Sequence, residues 1–182
     1  MAAGAVYAHK SMALYDYRVR TIEGEARGAE KTMQFQRFDG QYVLRLMPGE
    51  EVMQTLLDFV DQHGIRGGSF MAFGAFSRVR LRYFDVEAKH YRDHEVNRQV
   101  EVVSLLGNIA RVDGRPQIHM HTSVSDASGQ TNSGHIGEGI VRPTLEVFLT
   151  PLEGELRRRR DPQTGLELLD LAGTVEHADG RL

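Results

Sequence analysis

Two histidines two residues apart, His119 and His121, are the side chains in this sequence best suited to chemistry. The surrounding segment, Pro116 to Val124, has the pattern of a strand. Side chains in a strand alternate between its two faces, so both imidazoles point the same way, about 7 Å apart. Two imidazoles at that separation can bind one divalent metal ion, and zinc, copper, nickel and iron all accept imidazole ligands. The alternative is that the pair forms a polar, solvent-facing side of the strand.

A third histidine, His135, lies in the glycine-rich stretch Ser133-Gly134-His135-Ile136-Gly137. Residues 125–140 show no strand pattern, so we expect them to form a long loop. Glycine would let that backbone fold back over the end of the neighbouring strand. The three histidines would then supply three ligands and leave one coordination position open, which is the pattern of catalytic rather than structural zinc sites.

Two carboxylates and one arginine could serve the same site. Glu101 and Glu146 each lie within a largely apolar predicted strand, where a carboxylate needs a partner. One interpretation is an acid–base role beside the metal. The other is a structural ion pair with an arginine such as Arg142. In a metal-dependent lyase or hydrolase, the glutamates would move a proton and Arg142 would bind the carboxylate of a small anionic substrate.

One helix and a series of strands are expected to position these side chains. The segment Pro48-Gly49-Glu50-Glu51 opens a helix that Gly64 ends. Within it, apolar residues recur at helical spacing: Val52, Leu56, Phe59 and Val60. Most later segments are predicted strands. The fold class that follows is α+β, an antiparallel sheet with one main helix packed on it. Such a sheet leaves one face thinly covered, and self-association would cover it.

The chain has 182 residues, which suits one main domain. We divide it into an N-terminal extension (1–30), a domain (31–172) and a C-terminal tail (173–182). There is no cysteine, so a metal site must use His, Asp or Glu. A signal sequence and an apolar run of about 18 residues are both missing, which predicts a cytoplasmic protein without a membrane span. The net charge of −3 weighs against nucleic acid as the main ligand.

Several short motifs, all in one order, resemble the PPC (plants and prokaryotes conserved) domain family. They are Pro48-Gly49-Glu50-Glu51, Phe73-Gly74-Ala75-Phe76, Leu106-Gly107-Asn108, Asp113-Gly114-Arg115-Pro116, Gly134-His135-Ile136 and Asp161-Pro162-Gln163-Thr164-Gly165. The resemblance implies a homotrimer with an antiparallel sheet and a packed helix. It also implies a fold similar to the acetolactate decarboxylases, which hold zinc with three histidines. By position, that pattern falls on His119, His121 and His135, so zinc is the metal implied.

The same resemblance implies DNA binding, because plant members of the family carry an AT-hook with the core Arg-Gly-Arg-Pro. Here Asp113 stands where the hook has its first arginine, and an acid there repels phosphate. We interpret the basic run Arg157 to Arg160 as an edge strand or subunit contact, since strand alternation splits it between two faces. Three functions remain open: a metal-binding homotrimer that accepts a small molecule, a metal-dependent lyase or hydrolase, and a DNA-binding regulator.

Overall fold

The computed structural model describes residues 32–171. The predicted N-terminal extension (1–30) and C-terminal tail (173–182) lie outside the described residues. The described elements, in chain order, are β1 (Gln34–Phe38), β2 (Gln41–Leu46), α1 (Val52–Gln62), β3 (Gly68–Asp85), β4 (His90–Val96), β5 (Val100–Val112), β6 (Arg115–Ser125), β7 (Thr131–Pro151), β8 (Arg157–Arg160) and β9 (Glu167–Asp170).

All nine strands belong to one sheet, in which the order β1-β2-β7-β3-β5-β8-β9 forms the main path. Strand β4 pairs with β3, and β6 pairs with both β5 and β7. The strands β7, β3, β5 and β6 therefore form a closed circuit of hydrogen-bonded neighbours. This circuit brings β6 and β7, which carry the three histidines of interest, into direct contact.

The two longest strands, β3 and β7, pair with each other and bend at bulges, where the register shifts three times. Gly74 lies at one of these bends with a φ of 149°, and a Cβ there would approach the Thr144 carbonyl oxygen to 2.3 Å. Only glycine fits this position, because another residue would be strained and would collide with backbone. The bends let one strand take different neighbours along its length.

The single helix covers the core with the residues that the sequence pattern predicts. Val52, Leu56, Phe59 and Val60 are all buried, and the helix contacts β6 and β7. Glu51 caps its first turn by accepting a hydrogen bond from the Gln54 amide at 2.7 Å. The same carboxylate accepts a second bond from the Gly139 amide at 3.1 Å, which ties the helix to β7. No helix among the described residues is long and apolar enough to cross a membrane.

The predicted α+β class is wrong, because the fold is nearly all-β. Strands make up 64% of the structure and the one helix has only 11 residues. The sheet is also mixed rather than purely antiparallel, since β5 and β8 pair in parallel at Arg111 and Arg157. The α+β prediction rests on one amphipathic segment, whereas strands such as β7 include residues that the sequence pattern predicts to be loop.

The loop predicted for residues 125–140 is the clearest of these errors. Only a short turn separates β6 from β7, and β7 runs without a break from Thr131 to Pro151. Its glycines serve close packing instead of turning the chain. A Cβ on Gly137 would approach the Arg82 side chain to 2.8 Å, and one on Gly139 would approach the Phe76 ring to 3.0 Å. Glycine here removes a side chain that the neighbouring elements leave no room for.

Candidate metal centre

The structure brings His119, His121 and His135 together where β6 lies beside β7. His121 and His135 are direct cross-strand partners, and His119 lies two residues from His121 on the same face of β6. One potential ligand nitrogen from each ring lies within 4.8 Å of the other two. The Nε2 atoms of His119 and His121 are 3.1 Å apart. The three ring centroids are 5.0 to 5.3 Å apart.

The strand pattern explains why the histidines of β6 face one another instead of the core. Ile118, Met120 and Val124 alternate with them and are buried on the opposite face. Their burial fixes the register of the strand, because a slip of one residue would turn the histidines inward. His119 is half-buried and His121 is exposed, so the outer side of the group remains open to solvent.

Burial and neighbouring positive charges lower the pKa of His119 and of His135 and so keep these two imidazoles neutral. Burial, followed by the charges of His119 and His121 and of Arg82 and Arg158, lowers the pKa of His135 from 6.5 to about 4. Burial, Arg158 and His121 also lower the pKa of His119. A metal ion binds only a neutral ring, so neither of these two side chains carries a charge that must be lost at neutral pH.

His135 is held from behind by an aromatic and charged layer. The ring of Tyr91 lies 5.3 Å from that of His135, centroid to centroid, at an angle of 34°. The guanidinium of Arg82 lies over the Tyr91 ring, 4.6 Å from its centroid. The Nε of Arg82 donates a hydrogen bond to Asp93 at 2.9 Å. These contacts restrict the rotation of His135, which favours a preorganised site.

Arg158 is a residue at the site that the sequence interpretation missed. Its Nη2 lies 3.3 Å from His119 Nδ1 and donates to Asn108 Oδ1 at 2.8 Å. Its Nη1 donates to the Glu167 carbonyl oxygen at 2.6 Å. The sequence pattern predicts an edge strand or a subunit contact for the whole run Arg157 to Arg160. Strand alternation places Arg158 on the opposite face from the exposed Arg157 and Arg159, and this alternation can be read from the sequence. It does not indicate which residues the Arg158 side chain contacts.

The structure does not place Glu101, Glu146 or Arg142 with the histidines. Glu101 pairs with Ser125, four positions beyond His121 on β6, or roughly 13 Å along the strand. Glu146 lies on the half of β7 that pairs with β2, whereas His135 lies on the half that pairs with β6.

Each of these three side chains is exposed, and none forms a hydrogen bond or ion pair with another residue in the described range 32–171. The ion pair with an arginine such as Arg142, one of the two interpretations of these glutamates, is therefore absent there. An exposed carboxylate is solvated by water and needs no protein partner. Within one chain, the geometry gives no support to acid–base catalysis by either glutamate.

The three imidazoles fit a divalent metal ion. Zinc binds histidine nitrogens at about 2.0–2.1 Å, and tetrahedral geometry then separates two ligand nitrogens by roughly 3.3 Å. The 3.1 Å between the Nε2 atoms of His119 and His121 is close to that value, and a ligand nitrogen of His135 lies within 4.8 Å of both rings' ligand atoms. Within residues 32–171, these three histidines form the one group of His, Asp or Glu residues that lie close enough together to share an ion.

The chain is similar to several known proteins. Residues 33–153 match the model of the Plants and Prokaryotes Conserved (PCC) domain. A metal-containing protein from Archaeoglobus fulgidus is 32% identical, with a TM-score of 0.68 over 76% of this chain and 98% of that one. A candidate DNA-binding protein from Ralstonia eutropha JMP134 is 28% identical, with a TM-score of 0.72 over 75% of this chain and 95% of that one.

A curated relative is a much larger protein. The bifunctional protein GlmU from Synechococcus sp. (strain JA-3-3Ab) is 35% identical over 131 residues, which make up 70% of this chain and 20% of that protein. The chain thus spans about a fifth of the length of the curated relatives it matches. The matching region is therefore one part of those relatives.

Proposed function

The chain belongs to the Plants and Prokaryotes Conserved domain family, and we propose that it is a homotrimeric protein that binds one divalent metal ion per chain. His119, His121 and His135 are the proposed ligands, and zinc is the first candidate for the ion. The single observation that carries this proposal is the convergence of three imidazole nitrogens within 4.8 Å of one another. The metal content of the Archaeoglobus fulgidus relative also supports it.

A bound ion would supply a Lewis acid with a position open to water or to a small ligand. The other residues of this chain hold the three histidines in position and keep two of them neutral. Tyr91 and Arg82 restrict His135, and the buried face of β6 holds His119 and His121 in line. Burial keeps His119 and His135 in the neutral form that binds metal, as the lowered pKa of each ring indicates. The small-molecule ligand that the open position would accept is part of the proposal.

Metal analysis of protein purified without a histidine tag tests the site. We expect about one equivalent of a divalent ion per chain, and a large loss of it in His121→Ala. His94→Ala is the matched control, because His94 is an exposed histidine on β4 outside the group of three. Sub-stoichiometric metal in the parent after incubation with zinc, or equal metal in the parent and His121→Ala, would contradict the proposal.

An exposed apolar surface supports the proposed self-association. Met71 pairs with Leu106 on one side and with Phe148 on the other, and Phe73 stacks on Phe148 with centroids 5.8 Å apart. These four residues form what we call the outer apolar face. Met71, Phe73 and Leu106 are 52%, 45% and 60% exposed, which is unusual for large apolar side chains grouped on one sheet. A second copy of the chain is the occupant we propose for it.

The outer apolar face also reaches the metal centre, since Leu106 is the cross-strand partner of His121. A copy seated there would shield the histidines from bulk water. Sedimentation equilibrium tests this arrangement. We expect the parent to have the mass of a trimer and Leu106→Glu to dissociate, because a carboxylate cannot be buried unpaired. Val86→Glu is the control, at an exposed position in the β3–β4 turn. A monomeric parent, or an undisturbed Leu106→Glu trimer, would contradict it.

DNA binding is the alternative function, favoured by the Ralstonia eutropha relative and by exposed arginines on β8. Arg157, Arg159 and Arg160 could contact phosphates, although Arg157 and Arg159 already lie near Glu155 and Asp170. Three phosphate contacts would weaken duplex binding about 40-fold between 50 and 200 mM salt. Fluorescence anisotropy with a labelled duplex measures this. No binding at 50 mM salt, or a flat salt response, would exclude DNA as the ligand.

A further inference from the structure

We propose that Arg158 is a positioning residue that opposes metal binding by His119 and has to leave His119 before an ion can bind. This inference rests on the proposed metal site. It concerns the hydrogen bond on the far side of the His119 ring, opposite the nitrogen that would face the ion.

The geometry around His119 sets the direction of each hydrogen bond. Arg158 Nη2 lies 3.3 Å from His119 Nδ1, and His119 Nε2 lies 3.1 Å from His121 Nε2. A guanidinium carries five N–H donors and no acceptor, so Arg158 can only donate. His119 Nδ1 must then accept, and the proton of the neutral ring lies on Nε2. That proton is donated to His121 Nε2.

This arrangement is the reverse of the one that a metal ligand needs. A histidine that binds metal through Nε2 has its proton on Nδ1 and donates it to a carboxylate, a carbonyl or water. Arg158 stands where that acceptor would be, and its guanidinium cannot accept a hydrogen bond. His119 Nε2 therefore has no free lone pair for an ion while Arg158 stays in place.

A neighbouring acceptor is available once Arg158 moves. Asn108 is the cross-strand partner of His119, and its Oδ1 accepts from the same Nη2 at 2.8 Å. When Arg158 leaves, Asn108 Oδ1 can accept from His119 Nδ1. The proton leaves Nε2 for solvent and another joins Nδ1, so the ring stays neutral and no net proton is lost. The buried Nε of Arg158 has no hydrogen-bond partner among the described residues, so the guanidinium is incompletely held.

Competition with a chromophoric chelator for zinc at pH 7.5 tests the effect on affinity. Changes to such supporting residues alter metal affinity by about 10- to 100-fold, usually downwards. We expect Arg158→Gln to bind zinc tighter by that factor, because the glutamine oxygen can accept from Nδ1 and the positive charge is gone. Arg158→Lys keeps a charged donor and should bind no tighter than the parent. Arg159→Gln is the matched control, with the same charge change on a side chain that is 77% exposed, and should stay within about twofold.

The tautomer of His119 in the metal-free protein supplies an independent readout. Nitrogen-15 NMR should find the proton on Nε2 in the parent and on Nδ1 in Arg158→Gln. A parent with the proton on Nδ1 would overturn the inference, and this measurement needs no variant to fold. If zinc binds the parent and Arg158→Gln binds no tighter, the role of Arg158 fails while the metal site stands. If zinc binds neither protein, the metal site itself fails and the role of Arg158 falls with it.

Discussion

Acidification from pH 7.5 to pH 5 is expected to destabilise the metal-free chain through His135. The pKa of this histidine falls from 6.5 in the unfolded chain to about 4 in the fold, mainly through burial. Between those two values the unfolded chain binds the proton that the folded chain excludes. Stability is therefore fully present above pH 6.5, decreases as the pH falls through this window, and stops decreasing below pH 4.

The size of the effect follows from the same two values. At pH 5 they correspond to a loss of about 2 kcal/mol in the free energy of unfolding. His135 is only partly buried, and solvent screening reduces the figure to about 1 kcal/mol. The lowered pKa of His119 acts in the same direction. In His135→Gln, which cannot titrate, the loss between pH 7.5 and pH 5 should be smaller than in the parent by about 1 kcal/mol.

Urea unfolding at both pH values, in the presence of a chelator, measures this difference. The comparison is the change within each protein, so any fixed cost of losing the contact with Tyr91 cancels. His94→Gln is the control, because it makes the same substitution at an exposed histidine outside the group of three. A His135→Gln protein that loses as much stability as the parent would refute the assignment of this pH dependence to His135.

Two further changes test the fold around the site. Gly74→Ala should lower the free energy of unfolding by about 3 kcal/mol or more, because the new Cβ meets the Thr144 carbonyl. The control Gly40→Ala, with open space around it, should lower it by only about 1 kcal/mol. Thermal unfolding of the two variants and the parent measures the difference. Glu51→Ala removes the carboxylate that accepts from both the Gln54 and Gly139 amides, and should lower the free energy of unfolding by about 1–2 kcal/mol. Urea unfolding measures this loss, with Glu87→Ala in the exposed β3–β4 turn as the control.

Local signals predicted those parts of the fold in which neighbouring residues decide the outcome. The helix was predicted correctly because its apolar residues repeat at helical spacing and Gly64 follows with a positive φ. The turn at Asp113-Gly114 was also correct, and both of its residues have a positive φ. The family resemblance is confirmed by the match over residues 33–153. For the helix and the turn, the information lies within a few residues of the element.

The errors come from contacts between distant parts of the chain. Glycines 134, 137 and 139 resemble a loop in sequence, but their role is to admit the side chains and backbone of neighbouring elements, including β3. Arg158 meets Asn108 and His119 across 50 and 39 residues, and no periodicity in β8 indicates such a partner. Glu101 and Glu146 were given partners because their strands are apolar, but the side chains point to the exposed face.

The dependence of so many strands on β7 has a consequence for how the chain folds during synthesis. Strands β2, β3 and β6 all pair with β7, and Tyr42 of β2 meets Leu149. At about 5 to 20 residues per second, a ribosome needs roughly 5 to 20 s to make the chain between these two residues. Until then, β2 and β3 have exposed edges that can pair with other nascent chains. Folding dominated by such distant pairings is slow, so a pause or truncation before Pro151 would leave these strand edges unpaired for longer.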